Sequence, residues 1–147
     1  MWRGMIVLAG LLVAAGTAHA NSRFFCSADD KEARFTLESG FESEAGHKLN
    51  HFRGALVVKD PAQSTVFGKR VFESQHLTNH WSRDGDLLLE VFDGGEDDTG
   101  GATLDLVVVA GERGKPAANF SGTYSLTIEG GSSKPYAVEG KVSCGTK

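Results

Sequence analysis

The chain is short of cysteine, proline, basic charge and long apolar runs. Its two cysteines, in 147 residues, do not form a C-x-x-C, which argues against thiol redox work. Basic residues number 15 against 19 acidic ones, so a nucleic-acid or anionic-membrane partner, which selects a basic face, is not expected. Beyond residue 20 the longest apolar stretch is Leu106–Ala110. That is a strand's length, and a helix crossing a bilayer needs about 20 residues. The chain has no G-x-S-x-G, no H-E-x-x-H, no phosphate-cradling glycine loop and no H-x-H of the copper–zinc dismutase kind. No segment repeats with a helical period.

An export signal comes first among the features that are present. Arg3 is the only charge ahead of an apolar run from Met5 to Gly16, and Ala18-His19-Ala20 is a small-x-small cleavage site. Residues 1–20 therefore read as a cleaved secretory signal and residues 21–147 as a single β domain, periplasmic or secreted. In an exported chain the two cysteines form one disulfide, Cys26–Cys144, which makes the first and last strands neighbours. It also removes the free thiol that a blue-copper site needs.

The alternation has a period of two. Phe120, Gly122, Tyr124, Leu126 and Ile128 share one parity, with Ser121, Thr123, Ser125, Thr127 and Glu129 on the other. Tyr136, Val138, Gly140, Val142 and Cys144 repeat the pattern, as do Ala33, Phe35 and Leu37, and Phe52, Gly54, Leu56 and Val58. The segments around Leu89 and Leu106 are apolar on both faces, through Leu88, Phe92, Val107 and Val109. That predicts a central position or a second buried surface. Pro61, Pro116 and Pro135 fall between the alternating segments, and Asp84-Gly85 signals a hairpin turn. Gly54 and Gly122, inside strands, predict bends or bulges. The expected fold is all-β, a single antiparallel barrel or sandwich of about eight to nine short strands.

Two patterns could carry chemistry. His47-Lys-Leu-Asn-His51 and His76-Leu-Thr-Asn-His80 both read H-x-x-N-H and both precede an aromatic residue. Imidazoles from the two segments suit Zn²⁺ or Cu²⁺. Residues i and i+4 of a strand lie about 13 Å apart, so one histidine from each motif is the workable combination. Otherwise His76 and His80 face solvent, because Leu77 and Trp81 share the other parity. Asp93, Glu96, Asp97 and Asp98 lie in a glycine-rich loop that could hold Ca²⁺, although its spacing matches no EF-hand.

The lipocalin G-x-W motif is absent. In size, export, β content and the aromatic-x-Cys at Phe24-Phe25-Cys26, with Cys144 as late partner, the chain resembles the small periplasmic lysozyme inhibitors. It lacks their Ser-Gly-x-x-Tyr-type loop, so the resemblance implies architecture only. The functional expectation is an exported, non-enzymatic binding protein, inhibitor-like in kind, that takes an unidentified protein or small ligand and no cofactor. The alternatives are a metal-binding protein using the paired histidines and a structural envelope component.

Overall fold

A computed structural model describes residues 23–41, 49–83, 86–111, 119–131 and 134–146. The export signal, His47 and the Asp84-Gly85 turn lie outside them. Nine strands form one antiparallel sheet: β1 (Arg23–Asp29), β2 (Ala33–Phe41), β3 (Leu49–Val58), β4 (Lys69–Glu73), β5 (Leu77–Arg83), β6 (Asp86–Asp93), β7 (Ala102–Ala110), β8 (Asn119–Gly130) and β9 (Tyr136–Thr146). Their order is β4-β3-β2-β1-β9-β8-β7-β6-β5, a meander that curls until the first and last strands pair. The one α-helix among the described residues is a single turn, α1 (Ser64–Phe67), started where the Asp60 carboxylate accepts the Ala62 and Gln63 amides.

Cys26 lies directly opposite Cys144 in the β1–β9 ladder, and the two are bonded, with Cα atoms 4.0 Å apart. Both are buried, as their parity implied.

The sheet's two ends are consecutive in the chain. β4 and β5 are eight antiparallel pairings apart around the sheet, so they run in the same direction, with only the 3₁₀ turn Ser74–His76 between them. They are two halves of one bent strand, the first bonded to β3 and the second to β6. The bend is fixed locally: the Glu73 carboxylate accepts the His76 amide, and His76 Nδ1 accepts the Glu73 amide at 2.9 Å. The result is a nearly closed barrel in which eight strand positions complete the circuit.

The inward parity of each strand supplies the core. Leu37, Leu56, Leu89, Leu104, Leu106 and Leu126 have essentially no accessible surface, which leaves no water-sized space beside them. A barrel of about eight strands is just wide enough for side chains to fill, and each buried leucine contributes about 1.5–3 kcal/mol. Outward positions on β8 and β9, such as Thr123, Ser125, Thr127, Glu139 and Lys141, are polar. On these two strands the order is the reverse of the one that a membrane-spanning barrel presents to lipid. No helix among the described residues is long and apolar enough to cross a membrane.

Two sequence expectations change. Gly54 and Gly122 sit in regular register, and their role is close approach: a Cβ on Gly122 would lie 2.0 Å from the Val109 carbonyl, and one on Gly54 2.5 Å from Leu37. The irregularities occur elsewhere. β3 carries an extra residue against β2 at His51, whose φ of 50° is the left-handed conformation glycine usually supplies in such a bulge. His51→Val is therefore expected to cost about 1 kcal/mol more than His51→Gly, read as the difference in urea midpoint at constant slope. β5 carries the second bulge, at Thr78, where the hydroxyl donates to the Glu90 carbonyl at 3.2 Å.

Candidate functional site

The Thr78 bulge decides what the outer wall presents. A single inserted residue reverses the parity of everything after it. Leu77 pairs with Val91 of the core, but Trp81 pairs with Leu88, an outward position. Trp81 is therefore 48% exposed, where the plain alternation placed it in the core. Leu88 in turn pairs with Val109, and Val109 with Thr123. Trp81, Leu88 and Val109 thus form a row across three strands, with Val109 52% exposed. The doubly apolar strands β6 and β7 do have a second apolar face, and among the described residues nothing covers it.

Beside this row is a hollow of about 370 Å³. Trp81, Leu88 and Val109 contribute apolar side chains, and Ala110, Gly111 and Gly122 also line it. The Gly111 amide donates to the Ser121 carbonyl at 3.1 Å, holding β7 and β8 together there. Asp86, Ser121 and Thr123 supply the polar groups.

Three histidines of the two motifs, His51, His76 and His80, lie among the described residues, each in different surroundings. His51 is exposed on β3 and borders a crevice of about 10 Å³, the size of one water, with Arg23, Glu38 and Arg53. His76 is half-buried against the Phe72 ring, centroids 5.8 Å apart, with Nδ1 engaged by the Glu73 amide. His80 pairs with Leu89 yet is exposed, because among the described residues no strand is bonded to the far edge of β5. No three His, Cys, Asp or Glu side chains among the described residues converge as a metal site would require.

The acidic loop divides. Asp93, at the end of β6, is buried. Its Oδ1 accepts the Gly95 amide at 2.8 Å, and its Oδ2 lies 3.2 Å from Nε of Arg70 on β4. Asp98 lies 3.8 Å from Arg70 Nη2, and the Arg70 guanidinium stacks 4.8 Å above the Phe67 ring. An internal cation thus stands next to two of the four carboxylates proposed for Ca²⁺. Glu96 and Asp97 are exposed. The sequence reading missed both β4 and this arginine, since Lys69-Arg-Val-Phe-Glu73 is short and mostly charged.

A third cluster ties one end of the barrel. The buried Tyr124 hydroxyl donates to Asp30 Oδ2 at 2.7 Å, and Asp30 Oδ1 accepts the Glu32 and Ala33 amides. The Tyr136 hydroxyl donates to Glu32 at 2.9 Å, and Lys59 donates to the Asp30 carbonyl and to Asp29. Gly140 makes room for this: a Cβ there would lie 2.3 Å from the Asp30 carboxylate and 2.4 Å from the Tyr124 ring.

Burial opposes ionisation of Asp30, but the Tyr124 hydroxyl, the two amides and Lys59 outweigh it and hold the carboxyl below its usual range. Burial, then the carboxylates they bond, push both tyrosine hydroxyls well above their usual value of 10. The signs follow from linkage. Asp30 stabilises the fold above the ordinary aspartate range, and that contribution is lost as pH falls. The neutral tyrosines stabilise it below pH 10, and that contribution is lost as pH rises beyond 10. The melting temperature is expected to drop above pH 10, less steeply in Tyr124→Phe, which itself costs about 1–2 kcal/mol at pH 7. A melting series in alkaline buffers checks this, and equal slopes for the two proteins would contradict it.

Comparison with protein-family models, with curated proteins and with solved structures finds no match to this chain.

Proposed function

We propose that the chain is an exported, non-enzymatic β-barrel module that binds a protein or small ligand, in the periplasm or outside the cell, through the outer wall of β5–β8. The observation that carries this is the outward row Trp81–Leu88–Val109, in which Trp81 and Val109 are exposed and Leu88 half-buried. A barrel whose core already fills its interior gains nothing in folding from an outward tryptophan beside an outward valine. Exposed contiguous apolar groups of this kind mark interaction surfaces, and tryptophan is the side chain most enriched where binding energy concentrates. The tight leucine interior favours the outer wall over an internal ligand cavity. The Cys26–Cys144 bond fits an oxidising compartment and agrees with the export signal expected over residues 1–20.

The test is capture from an envelope extract on the immobilised protein, beside Leu88→Lys and Val109→Lys. Both positions face outward on strands, so both variants should melt as the parent does. The expected result is a discrete partner whose recovery falls at least tenfold in either variant. Equal recovery by the variants, or no partner at all, removes the reading.

A further inference from the structure

We infer that the hollow beside Trp81 is a subsite for the ring of a neutral saccharide, an assignment that rests on the outer-wall binding reading above. Its size of about 370 Å³ falls at the lower end of small-ligand sites, which run from roughly 300 Å³. Its lining has two characters. The Trp81 indole, Leu88 and Val109 are apolar, and Gly111 and Gly122 expose bare backbone. Asp86, at the start of β6, and Ser121 and Thr123, both on β8, are polar. A wholly apolar ligand such as an acyl chain would strip water from those three groups without replacing its hydrogen bonds, which is costly.

Charge narrows the class further. Asp86 is the only acidic or basic residue among the described residues that line the hollow, and its partner in the β5–β6 ladder is Arg83. A phosphate or carboxylate ligand would have to compete with the Asp86 carboxylate for any such cation. One carboxylate is too few for a divalent cation, which collects six or more oxygen ligands. A neutral sugar ring fits both characters. Its C–H face is apolar and suits the electron-rich face of an indole. Its hydroxyls donate to a carboxylate and exchange hydrogen bonds with serine and threonine hydroxyls. Gly122, which also lines the hollow, lets β7 and β8 approach closely there, since a Cβ would collide with the Val109 carbonyl.

The experiment uses the full chain carrying Trp2→Phe, which leaves Trp81 as the sole tryptophan. Its emission is titrated with glucose, N-acetylglucosamine and their β-1,4-linked oligomers, with glucose 6-phosphate as the anionic control. The expected result is a saturable change with at least one neutral saccharide, at a Kd of roughly 0.1–10 mM for a single small subsite. Glucose 6-phosphate should bind at least tenfold more weakly than glucose. Asp86→Ala and Thr123→Val should each weaken binding at least fivefold without lowering the melting temperature, and Trp81→Ala should abolish the heat of binding in calorimetry. No saturable response to any neutral saccharide overturns the inference, as does equal binding of glucose 6-phosphate or unchanged binding by both Asp86→Ala and Thr123→Val. If saccharides fail while Leu88→Lys still abolishes capture of an envelope protein, the subsite falls and the outer-wall reading stands. If both fail, both fall.

Discussion

Replacing Cys26 and Cys144 together by alanine is expected to cost about 4 kcal/mol. The bond closes a loop spanning 118 positions, and chain-entropy models place loops of about that length near 4–5 kcal/mol, with the native-state response usually trimming the value. The effect is large because this bond seals the ladder that joins the two ends of the meander. Strands β2 to β8 each gain a neighbour close in sequence, but the β1–β9 pairing must be assembled from the far ends of the chain. With a urea slope of about 2 kcal/mol per molar, the midpoint should fall by about 2 M. Against a typical total of about 5–15 kcal/mol, such a loss approaches the whole stability of a weak domain. A drop under about 1 kcal/mol would mean that pairing and core packing hold the closure unaided.

Asp93→Ala is the second large effect, expected to destabilise by about 3 kcal/mol. Arg70 and Asp93 have side chains only 15% and 10% exposed, and the pair spans the bend where β4 and β6 are not joined by a backbone ladder. Removing the carboxylate leaves the guanidinium largely buried with Asp98 at 3.8 Å as its remaining anion, and a buried charge stripped of its partner typically costs about 3–5 kcal/mol. The double replacement Arg70→Met with Asp93→Leu should recover most of that loss, because it removes the desolvation cost along with the attraction. The pair of thermal melts decides the point. If the double variant is as unstable as the single one, the arginine contributes mainly by stacking on Phe67 and the charge account is wrong.

The all-β class, the inward set on most strands and the terminal disulfide were legible because each rests on local alternation or on residue type. Leu104, Leu106, Tyr124 and Leu126 could be placed inward by counting twos. The bent strand was not legible, since Lys69–Glu73 offers one buried aromatic between charged neighbours. Trp81 was misplaced for a more general reason: the extra residue at Thr78 leaves no mark in composition, and parity carries no information across a bulge. Partners such as Tyr124 and Asp30, 94 residues apart, become neighbours only once the sheet has curled. What did survive from sequence to surface was the double apolarity of β6 and β7, a sign of a second face that names nothing about its occupant.

The direct pairing of Cys26 with Cys144 also determines how the molecule bears load. Tension applied at the two ends of the described chain arrives at adjacent strands and would peel Phe24 from Thr146 first. Two residues in, it meets a covalent bond. From there the force passes through the sulfur atoms, and the rest of the barrel hangs beside the line of pull as unloaded cargo. Oxidised, the domain should behave in a pulled tether as a short, inextensible link, and under reducing conditions as a long one that pays out strand by strand.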